Sequence, residues 1–227
     1  MKLHILVGCP YCSRVMFELE VLQLPYELAQ YRSPTDLKTE AYLEMNPHGQ
    51  APVLEVEEGF IYESSAIMRY LGNLRPESGV NGNNNFEKAQ IDIWISNGGP
   101  IFGSFARAFL AAIGKIPGDK EMIQDVIKAL PEKLGSLEEH LSSRTYLVGH
   151  RATNADFCMI TVLFCLFTYV LEEKERHKFP HILRYFNNLT ASAFYTNVMG
   201  TSKRLCSKPF AIPPPAKEEP VEAKKSK

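Results

Sequence analysis

Residues 46–71 read NPHGQAPVLEVEEGFIYESSAIMRYL, and this stretch predicts a hairpin that leads directly into a helix. The cluster at 46–49 should end any preceding helix, because Pro and Gly interrupt regular structure. Two apolar runs, 52–56 and 60–62, are joined by Glu-Glu-Gly, which is typical of a β-hairpin. From residue 64 to residue 74 the apolar residues recur at helical spacing.

The residues before this stretch predict the rest of one mixed unit. The apolar run 3–7 is typical of a buried strand, and the apolar spacing that follows it predicts a helix. A weaker strand is predicted at 26–31. The sequence Ser-Pro-Thr-Asp at 33–36 offers a cap, a first-turn proline and an early acid, so a second helix should start there. The predicted order over residues 1–75 is therefore βαβαββα.

Only helices are predicted after a linker at 76–85, which is rich in Gly, Asn and Pro. The first, at 86–113, should be interrupted at Gly98-Gly99-Pro100. The second, at 119–141, contains Pro131 and Gly135, which predict a kink or two separate helices. Thr153 and Asp156 have capping-box spacing and should open the apolar helix that follows. Shorter helices are predicted near 180–190 and at 192–199.

These patterns divide the chain into an N-terminal domain at 1–75, an all-helical domain at 86–206 and a tail at 207–227. The tail consists largely of Pro, Ala, Glu and Lys, so it has too little apolar surface to order itself, and we expect it to be disordered.

The composition is that of an ordinary globular protein, with 45% hydrophobic and 22% charged residues and a net charge of −1. Because there is no overall basic field, direct binding to nucleic acid has no support. The N-terminal apolar run is too short for a signal peptide. The longest apolar run, 157–171, is shorter than the roughly 20 residues of a membrane-spanning helix. We therefore expect a cytoplasmic protein with reduced cysteines and no membrane partner.

The stretch GCPYCSRV at 8–15 carries the strongest chemical signal. Cys9 falls where a strand should end and a helix begin, and the unpaired amides of a helix start favour a thiolate. Cys12 lies one turn later and could resolve a mixed disulfide formed on Cys9. Two unreactive thiols at a helix start are the alternative interpretation. A zinc site is less favoured, because no second CxxC or His pair completes it, so no metal is expected.

Two further stretches predict a peptide-binding site. If the bond before Pro52 is cis, the amide and carbonyl of Val53 should face outward and pair with an extended peptide, although an ordinary strand-starting proline has the same pattern. Glu63 and Ser64 open a helix after a strand, where exposed amides bind carboxylates, although an ordinary N-cap would also fit. Together with Cys9, these stretches suggest a site for a small anionic thiol peptide.

Other side chains are predicted to have mainly structural roles. Cys158 and Cys165 lie in the apolar run and are expected to be core residues. Arg14 should cover helix surface or pair with an acid. Three phenylalanines at helical spacing are expected to be core residues, or to line a pocket for an electrophile; they are Phe102, Phe105 and Phe109.

In this order, these stretches resemble the glutathione transferase superfamily over residues 2–206. The resemblance implies an α/β plus all-α fold, in which a thioredoxin-like N-terminal domain (βαβαββα) precedes an all-helical domain, often in a homodimer. Residues 46–71 are similar to the glutathione-binding segment of the family. This implies glutathione as co-substrate, with Val53 on its cysteinyl backbone. The resemblance also implies that Glu63 and Ser64 hold its γ-glutamyl end, with Gln50 nearby.

Within the superfamily the sequence points in two directions. CPYCSR resembles the cysteine-type classes and glutaredoxins, which implies a Cys9 nucleophile acting on a disulfide or an electrophilic substrate, with thiol transfer favoured over conjugation. The stretches 144–157, 162–189 and 198–208 instead resemble the transferase-like N-terminal module of translation elongation factor 1 gamma. That resemblance implies a docking platform for translation-complex subunits. The sequence favours the enzyme and keeps the docking module as the alternative.

Overall fold

The computed structural model describes residues 1–201 and 205–206, and it places a small mixed sheet before a set of helices. The strands are β1 Lys2–Leu6, β2 Glu27–Tyr31, β3 Val53–Val56 and β4 Gly59–Tyr62. The α-helices are α1 Pro10–Leu22, α2 Glu40–Met45, α3 Ser64–Leu74, α4 Asn85–Ala112, α5 Lys120–Leu141, α6 Asn154–Tyr169, α7 Glu173–Arg176, α8 Pro180–Thr190 and α9 Ala193–Met199. The predicted tail at 207–227 lies outside the described residues.

The four strands form one sheet in the order β2-β1-β3-β4. β1 and β2 run parallel, whereas β3 is antiparallel to both β1 and β4. The predicted order βαβαββα is confirmed, except that its second helix is split into a 3₁₀ turn, Pro34–Lys38, and α2. The split occurs because Thr39 is extended and starts a new helix by accepting a hydrogen bond from the Tyr42 amide.

The predicted interruption of the long helix is wrong, because α4 runs without a break through Gly98, Gly99 and Pro100. Pro100 removes one hydrogen bond to the carbonyl of Ser96, but both residues are exposed, so water can solvate that carbonyl. Buried residues on the same helix, including Ile91 and Phe105, hold it in the core. α5 is likewise a single helix across Pro131 and Gly135.

Helix α6 lies at the centre of the molecule and packs against α1 and α4. Cys158 and Cys165 are buried on it, as predicted. The capping box at its start is confirmed: the Asp156 carboxylate accepts from the Thr153 amide at 2.8 Å and also from the Leu147 amide and the Tyr185 hydroxyl. Among the described residues, we find no helix with the length and apolar character that crossing a membrane requires.

Candidate functional site

Cys9 is the N-cap residue of α1, and its partly buried sulfur lies 3.9 Å from the carbonyl oxygen of Ala51. A hydrogen bond from the Cys12 thiol is the main cause that lowers the pKa of Cys9 to about 7. The backbone amides of Cys12 and Tyr11 and the charge of Arg14 lower this pKa further, while burial opposes them. The helix start therefore favours the thiolate, as the sequence predicted, but a neighbouring sulfur contributes more.

Cys12 is only 1% exposed, so a bulky substrate has no direct access to it. Its hydrogen bond to Cys9, together with burial and the Cys9 charge, raises the pKa of Cys12 far above the ordinary thiol range. A thiol held in its protonated form donates well but attacks poorly. In this geometry the Cys12 thiol donates a hydrogen bond to Cys9, and its role as a resolving thiol stays a prediction.

The Ala51–Pro52 peptide bond is cis. Val53, whose backbone is predicted to face outward, is fully buried and is paired in register with His4 of β1 and Tyr62 of β4. Val53 therefore begins β3 inside the sheet, between β1 and β4. Ala51, one residue before the proline, is half-buried and lies beside the Cys9 sulfur instead.

A cavity of about 470 Å³ joins most of the predicted site residues and is large enough for a small peptide. Cys9, Gln50, Glu63 and Ser64 line it, whereas Cys12 and Val53 do not. Ala51 also lines this cavity and was missed, because alanine carries no functional group that a sequence pattern could flag. We refer to it as the peptide cavity.

Two buried side chains hold the loop that forms one wall of the peptide cavity. The Asn46 amide and the Tyr42 hydroxyl donate to the carbonyl of Gln50, at 2.8 and 3.1 Å. Asn46 also accepts from the His48 amide at 3.0 Å. In the sequence Asn46 was interpreted only as part of a helix-ending cluster, although its side chain is well suited to such turns.

The start of α3 forms the opposite wall of the peptide cavity. Glu63 is the N-cap residue with φ 68°, but its side chain makes no capping hydrogen bond. The first amides of α3 therefore lack a side-chain acceptor at this cap and remain available to an anion. Ser64 is buried at the same point and adds a hydroxyl group.

A second, mostly apolar cavity of about 390 Å³ reaches Cys9 from the helical side, between α1, α4, α6 and α9. Five aromatic side chains line it: Phe17, Phe109, Phe164, Tyr169 and Tyr195. Of the three phenylalanines considered as pocket residues, only Phe109 faces this cavity. Phe105 is fully buried in the core, and Phe102 lines a third cavity.

The third cavity, of about 210 Å³, contains Arg14. Its guanidinium lies 4.3 Å from the Tyr11 ring centroid and donates to the Cys158 sulfur at 3.3 Å. The expected pairing with an acid is not seen, since no described carboxylate forms an ion pair with Arg14. Glu63 and Ser64 line this cavity as well as the peptide cavity, so Arg14 lies close to the start of α3.

Comparison with known families matches both parts of the fold. The model of the glutathione S-transferase N-terminal domain matches residues 3–79, and that of the C-terminal domain matches residues 104–193. Among solved structures, glutathione transferase F2 from Populus trichocarpa superposes with a TM-score of 0.78 at 24% identity, covering 87% of this chain and 96% of that one. The transferase URE2P6 from Phanerochaete chrysosporium, solved with oxidized glutathione, gives 0.75 at 25% identity, covering 87% and 93%.

Among curated proteins, the similarity is to a translation factor. Probable elongation factor 1-gamma 1 of Arabidopsis thaliana is 34% identical over 226 residues, covering 96% of this chain and 55% of that protein. Elongation factor 1-gamma 1 of Oryza sativa subsp. japonica is 32% identical over 227 residues, covering 98% and 54%. The chain thus spans about half the length of these relatives, and they support the docking module over the enzyme that the sequence favoured.

Proposed function

Because this chain belongs to the glutathione S-transferase family, we propose that it is a transferase-fold docking module of the elongation factor 1-gamma type, with a glutathione-dependent thiol-transferase centre at Cys9. The observation that favours docking is the 34% identity to such a factor, which extends over 96% of the chain. The observation that favours thiol chemistry is the Cys9 sulfur, whose pKa of about 7 leaves much of it ionised near neutrality.

The docking function is tested by affinity capture of the full chain from cytosol. We expect translation-complex subunits to be recovered in fixed stoichiometry, as measured by quantitative mass spectrometry. A chain with Cys9→Ser should capture the same subunits, because docking does not use the thiol. Recovery of no such subunits would refute the docking function and leave the chemistry of Cys9 untouched.

A second copy of the chain is the other partner that we propose. Phe86 and Ile93 of α4 are 72% and 57% exposed, and Phe60 of β4 is also exposed. Apolar side chains that remain this exposed favour burial against another surface. A homodimer is also what the resemblance to the family implies.

In the proposed reaction, the Cys9 thiolate attacks the glutathione sulfur of a glutathionylated substrate. A Cys9–glutathione disulfide forms, the substrate's sulfur–sulfur bond breaks, and the substrate leaves as a thiolate that takes a proton from water. A second glutathione thiolate then attacks this disulfide, which returns Cys9 as a thiolate and releases glutathione disulfide. Since Cys12 is buried and protonated, the second glutathione is the resolving thiol.

The peptide cavity offers groups that fit glutathione as the substrate. Ala51, beside the Cys9 sulfur, presents backbone polar groups to the cysteinyl part of the tripeptide. The uncapped amides of α3 and the Ser64 hydroxyl suit the γ-glutamyl carboxylate, with Glu63 near its ammonium group. Gln50 closes the opposite side. The proposed contacts keep three of the four predicted binding residues and replace Val53 by Ala51.

The thiol chemistry is tested with a glutathionylated peptide and reduced glutathione. We expect Cys9→Ser to abolish turnover, because serine cannot form the intermediate disulfide. Ser13→Ala, which changes a partly buried neighbour of the same helix turn, should retain it. Undiminished turnover in Cys9→Ser would refute the proposed chemistry and would leave the docking function standing.

A further inference from the structure

A buried carboxyl group, Glu18 of α1, lies at the junction of the two domains. It is 0% exposed, and its Oε1 accepts a hydrogen bond from the Asn154 side-chain amide of α6 at 3.0 Å. Asn154 also ties in the segment between the domains, because its backbone amide donates to the carbonyl of Val80 at 3.0 Å. One carboxyl–amide contact therefore joins α1, α6 and this connecting segment.

Two oxygen atoms of this contact lack a hydrogen-bond partner although both are buried: Oε2 of Glu18 and Oδ1 of Asn154. The Asn154 amide cannot be turned around to solve this. The side-chain nitrogen of Asn154 lies near three acceptors: Oε1 of Glu18, Oδ1 of Asn81 and the Met68 carbonyl. If the amide were flipped, its oxygen would face these three acceptors and be repelled by them. Buried acceptors without donors are costly, and these two belong to groups that already share a hydrogen bond.

We propose that Glu18 is a neutral carboxylic acid in the folded protein and that its O–H donates to Oδ1 of Asn154, completing a reciprocal acid–amide pair that clamps the two domains together until the proton is lost. A single proton supplies the donor that both oxygens lack. The inference is independent of the docking function and of the thiol chemistry, since neither uses this contact.

The surroundings of Glu18 favour the neutral form. Burial raises the pKa of Glu18 well above its ordinary value, and the bond from Asn154 only partly opposes this. The nearest basic side chain on α1, Arg14, is turned toward Cys158 and Tyr11. From α3, Arg69 is exposed and pairs with Asp92.

The other groups near Glu18 do not balance a negative charge either. Asp156 and Cys158 of α6 are buried in the same core, and neither of these side chains can carry a positive charge. Tyr195 of α9 packs on Phe17, and its side chain cannot carry a positive charge either. No described ion pair includes Glu18, so ionisation would leave its charge uncompensated.

The consequence is a dependence of the junction on pH. A folded-state pKa above the unfolded value gives stability that is complete below the unfolded pKa and is lost as pH rises toward the folded pKa. In that window the unfolding equilibrium constant should rise about tenfold for each pH unit because of Glu18 alone. Ionisation should release Asn154 and Val80 before the rest of the fold.

Glu18→Gln is the decisive variant, because glutamine has the same shape, accepts and donates as the neutral acid does, and does not titrate. We expect urea unfolding of the full chain to show a ratio of wild-type to variant unfolding constants that rises with pH, by about tenfold per unit above the ordinary glutamate pKa. Glu18→Met serves the same comparison if the glutamine variant fails to fold. A ratio that does not change with pH would overturn the proposal.

A second measurement reads the junction itself. Amide hydrogen exchange at residues 80–82 and 154–156 should be faster in the wild type than in Glu18→Gln above the pH at which the ratio of unfolding constants stops rising, and equal at acidic pH. Exchange at the start of α5, which packs against α4 and α8, should match at every pH and provides the control. Equal exchange at the junction above that pH would refute the clamp.

Discussion

At the scale of single residues, the reactivity of the site depends on which sulfur carries the proton. Cys9 and Cys12 are one helical turn apart, yet their environments separate their pKa values in opposite directions. The sequence spacing is the same in a dithiol enzyme and in a site with one reactive thiol. Burial and hydrogen-bond geometry distinguish the two sulfurs, and here they favour the thiolate on Cys9 and the thiol on Cys12.

Replacing Cys12 separates its two possible roles. Cys12→Ala removes the donor, so the pKa of Cys9 should rise from about 7 toward an ordinary thiol value, and alkylation at neutral pH should slow about tenfold. Cys12→Ser keeps a donor and should retain most of the reactivity. The measurement is the rate of iodoacetamide labelling against pH. If both variants behave alike, the hydrogen bond from residue 12 is not what lowers the Cys9 pKa.

At the scale of an element, α6 depends on the cap at its first turn. Asp156 is fully buried and accepts from four donors on Leu147, Thr153 and Tyr185. Burial raises the pKa of Asp156 to about 6, although these bonds oppose it. Near neutral pH the Asp156 carboxylate is therefore ionised and fully hydrogen-bonded. Its bonds hold both helix α8 and the loop that precedes α6 to the start of α6.

Asp156→Asn should destabilise the fold strongly. The amide would present a donor toward groups that are themselves donors, and leaving such groups unpaired costs about 1–3 kcal/mol each. We expect a loss of about 3 kcal/mol in the free energy of unfolding at neutral pH, measured by urea denaturation. Asp119→Asn is the matched control, because Asp119 is an exposed N-cap of α5 and asparagine caps about as well. Equal effects of the two substitutions would contradict this account.

The pH dependence of this variant has a definite sign. Because the Asp156 pKa is raised in the fold, its ionisation costs stability as pH rises from the unfolded value to about 6. The wild type should lose about 3 kcal/mol from this group across that window, whereas Asp156→Asn should lack this loss. The difference in free energy of unfolding between the wild type and Asp156→Asn should therefore be larger at acidic pH than at neutral pH.

At the scale of the whole molecule, both the sheet domain and the helical domain contribute to the surroundings of the Cys9 sulfur. The sheet domain supplies Cys9, the loop held by Asn46, and the start of α3. α4, α6 and α9 close the apolar cavity on the other side of the same sulfur. The exposed faces of α4 and β4 lie outside both cavities and remain available for association.

The proposed homodimer is tested by a charge on that face. Phe86→Glu should shift the full chain to monomer in sedimentation velocity, because an ionised side chain cannot be buried in an apolar contact without a partner. Leu110→Glu is the control on the same helix, at a residue that lines none of the surface proposed for dimerisation. An unchanged sedimentation coefficient in Phe86→Glu, with a dimeric wild type, would place the interface elsewhere.

Most of the fold was predictable from local patterns. The alternation of apolar runs with Gly, Pro and Asn clusters predicted every strand, and Thr153 with Asp156 predicted the start of α6. Helix continuity across Pro100 and Pro131 was not predictable, because burial of the neighbouring turns outweighs one lost hydrogen bond. Local sequence preferences include the destabilising effect of a proline in a helix. The contacts that offset this effect come from residues far apart in the sequence.

For the site, the sequence by itself determined the helix start at Cys9, the start of α3 at Ser64 and the loop before Pro52, since each depends on neighbours along the chain. Tertiary structure alone decided that Ala51 rather than Val53 borders the peptide cavity, that Cys12 is buried and donates to Cys9, and that Glu18 meets Asn154 in the core. These outcomes depend on strand pairing and burial between residues far apart in sequence. The pKa of a buried group depends on which other groups surround it and keep water away. Those neighbours are set by the packing of the whole molecule and not by the local sequence.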